Sequence, residues 1–197
     1  MVAVKQQKPD SERTAAERIL TAASQLFYER GIRATGVNTI AERAAVTKVT
    51  LYAHFGSKDG LVAAHLRARD QRWWAELDEL LADCATGAER LRVMFDAYQA
   101  WVLAGDFRGC GFVNAATELT AAGHPGHAII SAHKEGIRRY LEAFAAEAGC
   151  TDPAEVADEW FLLLEGATVT ASLRHSTEPL QRARQAALRL LPSATPG

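Results

Sequence analysis

Apolar residues recur at intervals of three and four along almost the whole chain, and this spacing limits the possible folds more than any other feature of the sequence. Leu66, Trp73, Leu77 and Leu80 are one example, because residues spaced in this way lie on one face of a helix. No stretch shows the alternation of β-branched residues that predicts a strand. The six prolines lie at the chain ends or at apparent junctions, where a missing amide hydrogen does least harm. The sequence therefore predicts an all-α fold.

Local start and stop signals divide the chain into about nine predicted helices. Thr14 and Glu17 form a capping-box pattern at the first start, and Gly31 marks the first stop. Asp152 and Glu155 frame a first-turn proline, which is a strong signal for the start of the eighth helix. The predicted helices cover residues 14–30, about 37–44, 47–55, 58–83, 91–102, 112–122, 130–144, 152–175 and 180–191.

Charge is distributed unevenly along the chain. The formal net charge is −2, but residues 1–60 carry nine Lys and Arg against six Asp and Glu, while the remaining residues carry thirteen against eighteen. Phosphate neutralisation requires local rather than global positive charge. The asymmetry is consistent with a small DNA-contacting head on an acidic body, although chance scatter of charges would also produce it.

Cysteine usage and hydropathy indicate where the protein works. Cys84, Cys110 and Cys150 are odd in number and widely spaced, which disfavours a disulfide framework or a zinc ribbon and favours reduced thiols. The N-terminal residues lack the apolar segment of a signal peptide, and no apolar run approaches the length of a membrane span. We therefore expect a cytoplasmic protein without a membrane partner.

Three short helices with a tight turn between the second and third predict a helix-turn-helix, whose last helix enters the major groove of DNA. The stretch from Glu17 to Val62 resembles the N-terminal region of the TetR family of transcriptional regulators over about a quarter of the chain. The matching segments are Arg18-Ile-Leu-Thr-Ala-Ala-Ser-Gln-Leu-Phe27, Glu29-Arg-Gly31, Ala34-Thr-Gly-Val37, Ile40-Ala-Glu-Arg-Ala44, Val46-Thr-Lys48 and Thr50-Leu-Tyr-Ala-His-Phe-Gly-Ser-Lys58. Beyond this region the resemblance is architectural.

The predicted DNA contacts lie on and around the third helix. Thr47 and Lys48 place a positive helix end and an ammonium group where a phosphate can bind. Neither Arg, Asn nor Gln occupies the middle of this helix, so the operator sequence cannot be inferred. The resemblance implies backbone contacts from three of the candidates, Thr35, Tyr52 and Lys58. The full set of candidate DNA-binding residues is Thr35, Thr47, Lys48, Thr50, Tyr52, His54 and Lys58.

Other interpretations of these residues stay open. Thr47 can act only as a helix cap, Tyr52 only in packing, and His54 only as a surface histidine. A basic N-terminal arm containing Lys5, Lys8 and Arg13 is expected to extend the electrostatic footprint.

Three positions depart from the usual pattern of the family. Ala45 stands where the turn commonly has glycine, and we expect its φ to avoid strongly positive values. Val49 stands where a small or charged residue is frequent, and Ala53 stands where a polar or aromatic residue often follows the tyrosine. These two changes bear on which bases are read.

The resemblance implies a homodimer whose C-terminal helices pack against those of a second copy. These helices are rich in small residues, and the predicted dimer contacts are Gly166, Ala167, Ala171, Ala183, Ala187 and Leu191. The expected organisation is a flexible arm at 1–13, a DNA-binding domain at 14–60, a ligand-binding and dimerisation domain at 61–191, and a polar tail at 192–197. Use of these apolar faces wholly within one chain is the alternative.

A small-molecule pocket is expected between helices five and eight. Asn114 and Glu118 lie four residues apart on one helical face, and His133 lies amid an apolar stripe, so a polar ligand or a divalent metal is possible. Plain core packing is the alternative for each aromatic residue. The candidate ligand-binding residues are Phe95, Tyr98, Trp101, Phe112, Asn114, Glu118, His133, Ile137, Trp160, Leu164 and Thr168. No cofactor and no resident metal are assigned.

These features predict a ligand-responsive regulator that binds a palindromic operator and is released by a small-molecule inducer. An enzyme fused to a helix-turn-helix is disfavoured, because no phosphate-binding glycine loop, nucleophile elbow or HExxH motif is present. An architectural DNA-binding protein without a ligand remains a second possibility. Composition alone cannot separate a repressor from an activator. The resemblance favours a repressor.

Overall fold

The computed structural model describes residues 13–192, and this part of the chain folds into nine α-helices without a strand. The all-α prediction is confirmed. The helices are α1 Ala15–Arg30, α2 Val37–Arg43, α3 Lys48–Phe55, α4 Lys58–Leu81, α5 Gly87–Ala104, α6 Gly111–Glu118, α7 Gly126–Glu147, α8 Pro153–Arg174 and α9 Glu178–Leu188. Lys5, Lys8 and the predicted polar tail after Pro192 lie outside the described residues.

Polar side chains start several helices where the sequence indicates. Thr14 and Glu17 form the predicted capping box of α1, and the Asp152 side chain accepts the amide hydrogen of Glu155 at the start of α8. A second capping box, between Thr86 and Glu89, starts α5. These contacts satisfy amide groups that have no partner within the helix.

Helix α6 is shorter than predicted. It ends at Glu118 instead of Ala122, because a turn before α7 takes up the following residues. In this turn the His124 ring accepts the Gly126 amide hydrogen at 2.9 Å, and the His124 amide bonds to the carbonyl of Ala121. Side-chain bonds of this kind give the backbone an alternative to the helical ladder.

The chain divides into two compact units. Unit 1 comprises residues 13–69 and 115–129, and its fully buried apolar side chains include Ile19, Leu26, Ile40, Leu51 and Leu61. These residues come from α1, α2, α3 and the first part of α4, and their burial is consistent with their helical spacing. Phe55, four residues after Leu51 on α3, is only half-buried.

Unit 2 comprises residues 70–114 and 130–192. Its core contains the second part of α4 together with α5, α7, α8 and α9. Trp160 is fully buried, and its indole Nε1 donates to the carbonyl of Ala187 at 3.0 Å, which joins α8 to α9. Gly87 allows a close approach, because a Cβ there would lie 2.1 Å from the Phe144 carbonyl oxygen.

Ala45 contradicts the prediction made for the turn between α2 and α3, since its φ is 51°. The Val46 amide bonds to the Ala41 carbonyl, and the Ala45 amide bonds to the Glu42 carbonyl. This pair of bonds is a Schellman motif, which requires a left-handed residue after the helix. The turn therefore imposes a positive φ on an alanine.

Candidate nucleic-acid interface

Helix α3 is fixed at its N-terminus by Thr47. The Thr47 hydroxyl oxygen accepts the Thr50 amide hydrogen at 3.1 Å and lies 2.9 Å from the Thr50 hydroxyl. Leu51 is fully buried and anchors one side of the helix in unit 1. The predicted cap is confirmed. Because Leu51 is buried, the opposite side of α3 faces solvent.

That solvent-facing side carries most of the predicted DNA contacts. Thr47, Lys48 and His54 are exposed, as is Tyr52, whose accessible fraction is 43%. Thr50 and Lys58 are half-buried, and Lys58 is the first residue of α4. Hydroxyl, ammonium and imidazole groups can all bind phosphate oxygens or base edges. Contact of these six residues with DNA stays a prediction.

Thr35 does not fit the predicted contact. It is 1% exposed, and its hydroxyl lies 2.7 Å from the Gly31 carbonyl oxygen and 3.2 Å from that of Leu26. A donor that is satisfied inside the core has no surface to offer a phosphate. The Thr35 side chain instead holds the chain between α1 and α2.

Val49 is the exposed residue that sequence reasoning did not place among the contacts. Its side chain is 80% exposed on the first turn of α3, next to Lys48. An apolar side chain on such a surface can meet a thymine methyl group. The departure of Val49 from the family pattern was the feature of the sequence that could have identified it as a candidate contact.

Most of the candidate ligand-binding residues are buried in unit 2. The Phe112 and His133 rings stack with centroids 3.7 Å apart, and His133 Nδ1 lies 2.8 Å from an oxygen of Asp70. Trp101 is half-buried, and its indole donates to Glu76 at 2.8 Å. The buried candidates are Phe95, Tyr98, Phe112, His133, Ile137, Trp160, Leu164 and Thr168.

Asn114 and Glu118 do not form the shared polar face that their spacing predicted. Asn114 is exposed and donates to the Arg108 carbonyl at 2.7 Å in unit 2. Glu118 belongs to unit 1, where its carboxylate accepts the Arg33 amide hydrogen at 2.7 Å. Each side chain therefore holds a neighbouring segment of backbone.

Trp73 is a central aromatic residue that the predicted set omitted. Its ring contacts those of Tyr98 and Trp101 edge-to-face, with centroids 4.8 Å and 5.1 Å apart, and it also contacts His133. Within residues 13–192, Trp73 Nε1 has no hydrogen-bond partner. Buried donors without acceptors are rare in proteins.

In the part of the chain that the structure describes, no three His, Cys, Asp or Glu side chains come together as metal ligands would. No helix of that part has the length and hydropathy required to cross a membrane.

Most of the predicted dimer contacts lie inside the chain. Ala167, Ala171, Ala183 and Ala187 are buried in the core of unit 2, so their side chains cannot contact a second copy. They face inward because α8 and α9 pack closely against each other and against α5. Leu191 is half-buried and packs against the same core.

A different face of α8 is open. Leu162, Val169 and Leu173 are 70%, 49% and 80% exposed, and Gly166 lies exposed between them. Their spacing places them on one side of the helix. We define this set of four residues as the α8 apolar face.

Comparison with known families agrees with this architecture. Residues 19–65 match the family described as bacterial regulatory proteins, tetR family. Residues 87–187 match the family described as tetracyclin repressor-like, C-terminal domain. The two matches together include α2, α3, α5, α6, α7 and α8 in full, and parts of α1, α4 and α9.

Individual relatives and solved structures are also regulators. An HTH-type transcriptional regulator of Mycobacterium tuberculosis is 39% identical over 79 residues, which are 40% of this chain and 39% of that protein. The matched segment thus spans about two-fifths of that relative. The HTH-type transcriptional regulator YjdC of Escherichia coli is 27% identical over 76% of this chain and 79% of its own.

A crystal structure of a TetR-family transcriptional regulator from Streptomyces coelicolor superposes with a TM-score of 0.83 and 28% identity. The superposition covers 90% of this chain and 95% of that one. The chain belongs to the TetR family of bacterial DNA-binding transcriptional regulators, and not to a family of enzymes.

Proposed function

We propose that this regulator is a cytoplasmic repressor that binds a palindromic operator as a homodimer and is released by a small-molecule inducer. The proposed DNA-binding domain is residues 14–60, and the proposed ligand-binding and dimerisation domain is residues 61–191. The observation that carries the proposal is the exposed side of α3, where Thr47, Lys48 and Tyr52 are exposed and Thr47 caps the start of the helix.

Operator binding by α3 follows from the chemistry of this surface. The Lys48 ammonium and the positive end of the helix dipole attract phosphate. Thr50 and Val49 lie within one turn of Lys48, and their methyl groups suit thymine. Repression requires only that the bound protein occlude a promoter, so no additional surface for polymerase is needed.

The α8 apolar face supports a homodimer. A row that contains Leu162, Val169 and Leu173 is a large apolar surface for one helix to expose. We assign a second copy of this chain as the occupant, because the α8 apolar face can pack against itself about a two-fold axis. Such an axis also presents two α3 helices to an operator with two-fold symmetry.

The aromatic cluster around Trp73 supports a ligand response in unit 2. The second half of α4 contributes Asp70, Trp73 and Glu76 to contacts with His133, Tyr98 and Trp101. A ligand that enters this cluster would displace part of α4, whose first half belongs to unit 1. Linkage then requires the inducer to bind the DNA-incompetent state more tightly, and the operator to weaken inducer binding equally.

Genome-wide mapping of bound DNA, followed by titration of the bound fragment with purified protein, tests the proposal. We expect enriched sites that contain an inverted repeat, with half-sites about one helical turn apart. Lys48→Ala should lose affinity, whereas Arg182→Ala, an exposed cation on α9, should retain it. Enrichment without an inverted repeat, or a metabolite-insensitive complex that bends DNA, would favour the architectural alternative.

A further inference from the structure

Helix α3 points two small apolar side chains directly away from the core. Leu51 is fully buried in unit 1, whereas Val49 is 80% exposed and Ala53 is also exposed. Because successive residues of a helix are rotated by about 100°, Val49 and Ala53 each lie about 160° around the helix axis from Leu51. These two residues therefore form the middle of the solvent-facing side of α3.

Polar residues lie on both edges of that side. Lys48 and Tyr52, four residues apart, lie along one edge. Thr50 and His54, also four residues apart, lie along the other. Ammonium, hydroxyl and imidazole groups suit the phosphates and sugars that border a groove of DNA. A helix with such edges, placed in the major groove, points its middle at the base edges.

Hydrogen-bonding base readers are scarce on α3. After its first residue, Lys48, the helix contains no Arg, Asn, Gln, Asp or Glu. These residue types read guanine, adenine and cytosine through hydrogen bonds. The Thr50 hydroxyl already has a partner, because it lies 2.9 Å from the Thr47 hydroxyl. The middle of this side therefore offers methyl groups to a base pair.

Neither packing nor helix propensity accounts for Val49. Its side chain is mostly exposed, so it adds little to the core of unit 1. Valine is also a poorer helix former than alanine, because the preceding turn restricts its β-branched side chain. The same restriction favours one rotamer, so the two methyl groups of Val49 hold a defined position before DNA binds. An apolar group fixed in this way suits a contact that forms only in a complex.

We propose that Val49 is a specificity-determining residue that packs against the 5-methyl group of a thymine in each operator half-site. This inference rests on the proposed function, because it requires α3 to lie in the major groove. Ala53 projects only one methyl group, so the helix can approach closely enough for Val49 to reach a base. Thymine is the occupant because its methyl group is the apolar feature that a standard base presents in the major groove.

Replacement of thymine by deoxyuridine tests this contact, because deoxyuridine lacks the methyl group and keeps every hydrogen-bonding group. Each thymine of the mapped operator is replaced in both half-sites together, and the intact protein is titrated against each labelled fragment at fixed salt. Burial of one methyl group should raise affinity about fourfold, so one position should lose about fifteenfold over the two half-sites.

Val49→Ala identifies the side chain that makes the contact. This variant should bind the thymine operator about as weakly as wild type binds the sensitive deoxyuridine operator, and deoxyuridine should weaken it less than about twofold further. Alanine favours the helix, so the variant should fold, which circular dichroism checks. Lys48→Ala is the matched control on the same turn. It should weaken binding to both fragments equally, because a phosphate contact does not distinguish bases.

The base analogue 5-methylcytosine separates the methyl contact from recognition of the whole A·T pair. At the sensitive position, a C·G pair should bind weakly. Methylation of that cytosine at C5 should then raise the affinity of wild type about fifteenfold over the two half-sites, but that of Val49→Ala less than about twofold.

Three outcomes would contradict the inference. Operator binding that is indifferent to deoxyuridine at every thymine would overturn it and leave the proposed function standing. A deoxyuridine loss that is equally large in Val49→Ala would also overturn it, since another side chain would then make the contact. Failure of wild type to bind every mapped fragment would refute the proposed function, and this inference with it.

Discussion

The Thr47 hydroxyl accepts the amide hydrogen of Thr50 at 3.1 Å, and this bond begins the helix that presents the proposed DNA contacts. Thr47→Ala should remove the cap and destabilise the protein by about 1 kcal/mol, because the Thr50 amide loses its partner. Urea unfolding measures this difference. Thr47→Ser keeps the hydroxyl and should lie close to wild type. Equal losses in both variants would mean that the methyl group, rather than the cap, matters.

Ala45 provides a test of the turn between α2 and α3. Ala45→Gly should stabilise the protein by about 0.5–1 kcal/mol, because glycine adopts the observed φ of 51° without steric strain. Ala116→Gly, at an exposed position inside α6, should instead destabilise by about 1 kcal/mol. Thermal or urea unfolding of both variants compares them. A loss of stability in Ala45→Gly would show that the positive φ is not strained.

The α8 apolar face predicts how the chain assembles. Leu173→Glu should give a folded monomer, because a second copy would bury the new carboxylate without a partner. Leu103→Glu, at a residue that is 50% exposed on α5, should leave assembly unchanged. Analytical ultracentrifugation with circular dichroism separates loss of the dimer from loss of the fold. A dimeric Leu173→Glu would place the interface elsewhere.

Glu89 makes the start of α5 sensitive to pH. The amide groups of Ala85 and Thr86, followed by the Thr86 hydroxyl, lower the pKa of this carboxyl. Because the folded pKa lies below the unfolded one, the Glu89 contribution to stability is complete above the unfolded value and is lost as pH falls through the folded value. Wild type should therefore exceed Glu89→Gln in stability at pH 7, and the difference should shrink in acid. A difference that grows in acid would contradict this sign.

Sequence reasoning succeeded where neighbouring residues decide the structure. The capping box of Thr14 and Glu17 and the Asp152 cap depend on contacts three residues apart, so the pattern contains the necessary information. The prediction that the φ of Ala45 avoids strongly positive values was wrong, since it rested on steric preference alone. The bond from Val46 to the Ala41 carbonyl fixes that turn.

Packing between helices explains the other differences. The spacing of α8 shows that Ala171 and Leu173 lie on different faces, but not which face meets α5 and α9. The small residues face the interior because close helix packing requires them, and Leu173 is left outside. Likewise, the importance of Trp73 depends on α4 and α5 being brought together. Glu118 was misassigned because its partner, Arg33, lies 85 residues away in the chain.

The central claim is that the exposed side of α3 binds operator DNA in a homodimer, and the salt dependence of binding tests it most directly. Operator affinity should be measured between about 50 and 200 mM salt for wild type, Lys48→Ala and Arg182→Ala. Because each dimer carries two copies of Lys48, Lys48→Ala should weaken binding and reduce the slope of log affinity against log salt by about two. Arg182→Ala should match wild type in both its operator affinity and its salt slope. An unchanged affinity and slope in Lys48→Ala would contradict the placement of the DNA interface on α3.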